Sequence, residues 1–185
     1  MKNTIYLAGG CFWGVQAYMK KLPGVLETEA GYANGKTENP SYEEVCKKNT
    51  GHAETVRVVY DAKIIPLEIL LRAFFTVVDP TQLNRQGGDI GTQYRNGVFY
   101  EREEDLAVIE KVVAGLRESY ADPVVTEIQR LENFYPAEAY HQDYLDKNPG
   151  GYCHINLFDA EAFIRKHFNL YEVQGKDYVD GSGEC

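Results

Sequence analysis

No run of lysine and arginine interrupts this 185-residue sequence, and its formal net charge is −9. That excludes the basic face needed for general binding to nucleic acid or an anionic membrane. No apolar stretch is long enough to span a bilayer, and Met1-Lys2-Asn3-Thr4 lacks the apolar region of a signal peptide. The expected compartment is therefore the cytoplasm. The four cysteines, Cys11, Cys46, Cys153 and Cys185, form no Cys-x-x-Cys pair, which argues against a structural zinc site. In a cytosolic protein static disulfides are not expected, while transient catalytic ones stay open. No Gly-Lys-Ser/Thr follows the glycine-rich stretch at 87–91, so it is not a phosphate loop. Internal repeats, interdomain linkers and a coiled-coil pattern are missing too. One domain over 1–185 and a monomer are the expectation.

What the sequence does contain is ordinary in bulk and unusual in one place. Hydrophobic content is 44% and charged content 25%, as in a globular protein, and 14 tyrosines offer material for a polar aromatic pocket. The unusual place is Gly9-Gly10-Cys11-Phe12-Trp13-Gly14. It follows an apolar run at 5–8 that reads as a strand and opens a helix over 11–21. A cysteine at such a junction faces unpaired amides and the positive end of the helix dipole, which favours the nucleophilic thiolate. The only tryptophan and a phenylalanine follow directly.

Along the chain, strands are expected at 25–32, 54–60, 97–100 and 124–131. Ser41 and Glu44 stand in capping-box spacing at the start of a short helix over 41–46. Pro66 suits a first helical turn, and Leu67, Leu70, Leu71, Phe74, Phe75 and Val78 recur at helical spacing. Leu106, Ile109, Val113, Leu116 and Tyr120 make one face of another helix. Residues 79–96 read as a long aperiodic loop, 138–145 as a helix, and 148–185 as a mostly irregular tail with one helix near 160–167. The order strand–helix–strand, strand–helix–strand predicts an α+β fold: a ferredoxin-like split βαβ core with an elaborated mixed sheet, extra helices and a long irregular C-terminal tail.

Several side chains could carry chemistry. Strand alternation puts Glu54 on one face with Val56, Val58 and Tyr60. There its carboxyl would be desolvated, kept neutral and able to donate a proton; the alternative is a strand-end residue turned to solvent. Arg85, Asp89, Gln93, Tyr94 and Arg95 lie on the glycine-rich loop, either as binding groups or as a solvated surface. His52 and His141 are candidate bases for Cys11, or ordinary hydrogen-bonded histidines. Cys46 reads as a packed apolar residue, and Cys153 as a thiol on a flexible turn, able to swing to Cys11 or inert. Cys185 carries the same alternatives more weakly.

Gly9-Gly10-Cys11-Phe12-Trp13-Gly14 resembles the signature of the A-type peptide methionine sulfoxide reductases. Thr50-Gly51-His52-Ala53-Glu54, Asp79-Pro80-Thr81, Gly91-Thr92-Gln93-Tyr94-Arg95 and Asn148-Pro149-Gly150-Gly151-Tyr152-Cys153 resemble that family's later blocks, in its order. The resemblance implies that Cys11 attacks the sulfoxide sulfur between the walls Phe12 and Trp13. It implies Glu54 as the acid, Tyr42, Tyr94 and Asp89 around the oxygen, and Cys153 as the cysteine that resolves a sulfenic acid on Cys11. It also implies reduction of the S epimer, free or in proteins, recycling by thioredoxin, and no metal or organic cofactor. The sequence after Cys153, His154-Ile155-Asn156-Leu157, departs from the glycine-rich run of members with further resolving cysteines. Two other readings compete: a cysteine hydrolase or acyltransferase pairing Cys11 with a histidine, and a non-catalytic reader of oxidised methionine.

Overall fold

The computed structural model describes residues 1–168. In chain order it runs β1 (Lys2–Ala8), α1 (Phe12–Met19), β2 (Val25–Ala33), α2 (Tyr42–Lys47), β3 (Ala53–Asp61), α3 (Leu67–Val77), β4 (Arg85–Gln86), β5 (Asp89–Ile90), β6 (Gly97–Tyr100), α4 (Glu103–Ser119), β7 (Glu127–Arg130), β8 (Phe134–Pro136), α5 (Tyr144–Lys147) and α6 (Phe158–His167). Six strands form one mixed sheet in the order β7-β6-β1-β3-β2-β8, and β4 and β5 form a small separate hairpin. Every pair in the large sheet is antiparallel except β6 with β7. The architecture is α+β.

Strand alternation decides which side chains meet the helices. Ile5 and Leu7 of β1, and Val56, Val58 and Tyr60 of β3, join the large core with Val15 and Met19 of α1 and Leu70, Leu71 and Phe74 of α3. Tyr6, Ala8, Ala33, Ala53 and Phe99 face the other way and build a smaller cluster under Leu131 and Phe134. Leu7 pairs with Val56 and Tyr32 with Glu54, so β1, β3 and β2 stand in fixed register beneath α1. Tyr18 locks α1 to α3 by donating its hydroxyl to the Ala73 carbonyl at 2.8 Å. Burial of these large apolar groups, each worth roughly 1.5–3 kcal/mol, holds the helices on the sheet.

The structure redraws several expected elements. The helix expected over 138–145 is broken into a 3-10 turn, Ala139–His141, and α5, because Asp143 takes a left-handed φ of 52°. The strand expected at 124–131 shortens to Glu127–Arg130, since the Val125 amide is drawn off to the Pro80 carbonyl. The loop at 79–96 contains β4, β5 and a 3-10 turn, Thr92–Tyr94. β8 escapes sequence reading because three residues are too few to show an alternation. Cys46 is exposed rather than packed, because Val45 takes the inward position of the short α2. Cys185 and the end of the tail lie outside the described residues.

Candidate active site

Cys11 sits at the N-cap of α1, at the hinge between β1 and that helix. Gly10 makes the hinge possible. Its φ is +82°, and a Cβ there would come within 2.7 Å of the Gln86 side chain and 2.9 Å of His154 Nε2. The helix start alone would depress the thiol pKa, and the Trp13 amide does reach the sulfur. Burial outweighs it. The Cys11 side chain is almost fully enclosed, so desolvation pushes its pKa well up, and the charge of Glu54, then that of Asp89, push the same way. Cys11 therefore rests as a thiol, not as the thiolate that the helix terminus suggests.

Glu54 explains how that thiol is governed. It lies on the helix-facing side of β3 with Val56, Val58 and Tyr60, 1% exposed. The Phe12 amide donates to its Oε1 at 3.2 Å, while its Oε2 is buried with no hydrogen-bond partner among the described residues. Burial raises its pKa to about 8 against the lowering effect of the Phe12 amide, and Asp89 adds a further push upward. The carboxyl is thus mostly a neutral acid near neutral pH. While it keeps its proton it exerts no charge on Cys11, so the two groups compete to hold a single negative charge.

Two phenols stand around that acid. Tyr42 begins α2, and Tyr94 ends the 3-10 turn at Thr92–Tyr94. Burial, then the charge of Glu54, push both phenol pKa values far up, so both remain donors. Ser41 Oγ caps α2 by accepting from the Glu44 amide at 3.2 Å. Arg95 pins the Tyr94 turn from three sides: Nε to Glu127 Oε2 at 2.8 Å, and its two terminal nitrogens to the carbonyls of Thr92 at 3.0 Å and Gly51 at 2.9 Å. Asp89 on β5 comes into the same neighbourhood, since its charge acts on Cys11, Glu54 and Tyr94.

Phe12 and Trp13 form the apolar side. Phe12 is buried against Tyr32 and His141, with ring centroids 5.7 and 5.2 Å away. Trp13 stacks on Tyr144 at 3.6 Å and donates Nε1–H to His141 Nδ1 at 2.9 Å. Cys153 lies against the same helix turn. A Cβ on Gly14 would come within 3.1 Å of its sulfur, and its thiol donates to the Ile155 carbonyl at 3.1 Å. The two cysteines thus flank one turn of α1, with both thiols free.

Residues 3–171 match the model of the family described as peptide methionine sulfoxide reductase. The chain belongs to that family. It is 56% identical over 162 residues to a peptide methionine sulfoxide reductase MsrA of Lachnoclostridium phytofermentans, covering 86% of this chain and 98% of that one. It is 60% identical over 155 residues to the MsrA of Alkaliphilus metalliredigens, covering 84% and 98%. Among solved structures, reduced Mxr1 of Saccharomyces cerevisiae superposes with a TM-score of 0.79 at 41% identity, over 84% of this chain and 91% of that one. Mxr1 has also been solved in complex with Trx2; that structure has a TM-score of 0.56 at 28% identity, over 77% of this chain and 84% of that one. The protein is a peptide methionine sulfoxide reductase.

The eight residues whose roles the resemblance implies, Cys11, Phe12, Trp13, Tyr42, Glu54, Asp89, Tyr94 and Cys153, lie around the start of α1. The histidines take the second of their two readings, as ordinary hydrogen-bonded residues. His52 bonds through Nε2 to the Thr37 carbonyl at 2.7 Å, and His141 Nδ1 is occupied by Trp13. Neither offers the Cys–His pair that a hydrolase needs. Sequence reading missed Glu138, which accepts from the Tyr32 hydroxyl at 3.0 Å and the Tyr42 amide at 3.2 Å. It also missed Tyr144 and Tyr152. No local pattern marks them, because each reaches the site through a chain reversal late in the sequence.

Proposed function

We propose that the reductase divides the sulfoxide between two sides of this pocket. Phe12 and Trp13 hold the substrate methyl group; Glu54, Tyr42 and Tyr94 receive the oxygen, with Asp89 beside them. The observation that carries this reading is Glu54 Oε2, a buried carboxyl oxygen without a partner on a group kept neutral by burial. A protonated Oε2 donates to the oxygen and makes the sulfur electrophilic. Cys11 attacks the sulfur and gives up its thiol proton, so the oxygen gains one proton from Glu54 and one from the thiol. The substrate S–O bond breaks as that oxygen leaves as water; water then attacks the Cys11 sulfur, the Cys11–substrate S–S bond breaks, methionine departs, a proton returns to Glu54 and Cys11 is left as a sulfenic acid. Cys153 condenses with it, releasing water and leaving a disulfide. Thioredoxin reduces that disulfide by exchange, a reading supported by the Mxr1–Trx2 complex.

The substrate is methionine S-sulfoxide, free or in proteins; only one epimer places oxygen on the donors and methyl on the rings together. The protein acts as a single-domain cytoplasmic monomer. Its core is ferredoxin-like, a reading supported by the antiparallel order β6-β1-β3-β2 with α1 and α3 packed on it. The test is an assay of the two separated sulfoxide epimers with thioredoxin as reductant. Turnover of the S epimer alone is expected, abolished by Cys11→Ser. Cys153→Ser should release one methionine per enzyme and lose thioredoxin-driven cycling. Full cycling by that variant would remove Cys153 from the scheme.

A further inference from the structure

His154 is a buried imidazole that the reduction of the sulfoxide does not use. It directly follows Cys153, yet its ring turns inward and its side chain is only 8% exposed. Nδ1 lies 3.8 Å from Asp89 Oδ2. Neither ring nitrogen nor that carboxylate oxygen has a hydrogen-bond partner of good geometry among the described residues. The Nε2 edge covers Gly10, the residue before the nucleophile, closely enough that a Cβ there would be 2.9 Å away.

We propose that His154, set against Asp89, carries the proton for the disulfide-forming half of the reaction. This rests on the assignment of Cys11 and Cys153 given above. In that step the Cys153 sulfur bonds to the Cys11 sulfur and the Cys11 S–O bond breaks. Cys153 is oxidised and the sulfenic sulfur reduced, so no outside oxidant or reductant enters. The Cys153 thiol must lose a proton, and the departing hydroxide must gain one to leave as water. His154 takes the first and delivers the second, ending as it began.

Position argues for this half of the reaction. The ring is carried by the segment that carries Cys153, and it rests on the hinge that carries Cys11. The first half already has Glu54 as its acid. Charge fits as well. The titratable groups around this corner are Asp89 on β5, Cys11, Glu54, Tyr94 of the 3-10 turn, and Tyr152 and Cys153 from the segment of His154 itself. Burial lowers the imidazole pKa, and Asp89 and then the Gly9 backbone raise it in part, which leaves a neutral base at rest and a cation stabilised by Asp89 once a proton arrives. Burial meanwhile keeps Cys153 a thiol in need of a base.

The test separates the two half-reactions. Reduced enzyme is mixed with excess methionine S-sulfoxide and no reductant, then quenched over time with dimedone and an alkylating agent. His154→Gln should release its one equivalent of methionine at the wild-type rate. Its disulfide should form at least tenfold more slowly, with dimedone-labelled Cys11 accumulating and the pH dependence of that step flattened. Added imidazole should accelerate disulfide formation in His154→Ala. A wild-type rate of disulfide formation, an equal slowing of the methionine burst, or no rescue by imidazole overturns the proposal. Peptide mapping of the oxidised wild-type enzyme checks the underlying assignment separately: a disulfide that omits Cys153 overturns both.

Discussion

The Phe12 amide donates to Glu54 Oε1 at 3.2 Å, so the acid on β3 is fastened to the residue next to the nucleophile. One hydrogen bond thereby ties the strand that carries this carboxyl to the helix that begins at Cys11. Oε2 keeps no hydrogen-bond partner among the described residues.

Glu54→Gln keeps the acceptor for Phe12 and removes the transferable proton. The rate of methionine release should fall about 10²- to 10⁴-fold, the usual contribution of a positioned acid, with a much smaller change in KM. In the wild type the neutral acid disappears as pH rises through about 8, so the burst should slow there and the variant should show no such step. Stability gives an independent sign. A carboxyl whose folded pKa is raised from 4.5 to about 8 binds its proton more tightly when folded. The folded state therefore loses stability as pH climbs across that window. Glu54→Gln should melt at higher temperature than wild type at pH 9, and the gap should close at low pH.

The Trp13–His141 bond predicts a spectroscopic titration. Trp13 is the only tryptophan, and its Nε1–H needs a bare His141 Nδ1. Burial lowers the pKa of His141, partly offset by Glu138, whose carboxylate is 4.0 Å from Nε2. The bond should therefore hold at neutral pH and break as pH falls below the ordinary histidine value of 6.5. Tryptophan fluorescence should change across that range in the wild type and stay flat in His141→Phe. The same variant should show a raised KM for the sulfoxide, because the ring that holds the methyl group is less well fixed.

Gly14→Ala tests the contact with Cys153. The added methyl would sit 3.1 Å from the Cys153 sulfur and 3.3 Å from Ile155 Cδ1, so the resolving segment must shift. Helix propensity works in the opposite direction, favouring alanine by about 1 kcal/mol. The melting temperature should change little, while disulfide formation slows and the methionine burst is retained.

Arg95→Ala removes the clamp on the Tyr94 turn. Three charge-assisted hydrogen bonds are lost and Glu127 is left half-buried without its partner. Urea denaturation should show a loss of about 1–3 kcal/mol, and methionine release should fall as Tyr94 moves away from the oxygen.

The α+β class, the turn at Cys11, the capped α2 and the apolar faces of α3 and α4 were legible in the sequence. Each depends on neighbours a few residues apart: a glycine pair before a helix, Ser41 three residues before Glu44, leucines at helical spacing. The inward face of Glu54 was legible to within a choice of two, because alternation fixes which residues share a face without saying which face is buried. The broken helix at Asp143 and the three-residue β8 were not legible, since both are imposed by contacts with β2 and α1 from far along the chain.

The sequence by itself determined the family and the inventory of chemistry: a cysteine opening a helix, two rings after it, an acid on an apolar strand, and a second cysteine far downstream. The protonation states were decided only in three dimensions. Helix position alone favours a thiolate at Cys11, yet enclosure beside Glu54 and Asp89 keeps it a thiol. A neutral acid and a neutral thiol in one pocket are consequences of desolvation. Desolvation depends on what surrounds a group from every side, which no stretch of sequence specifies alone.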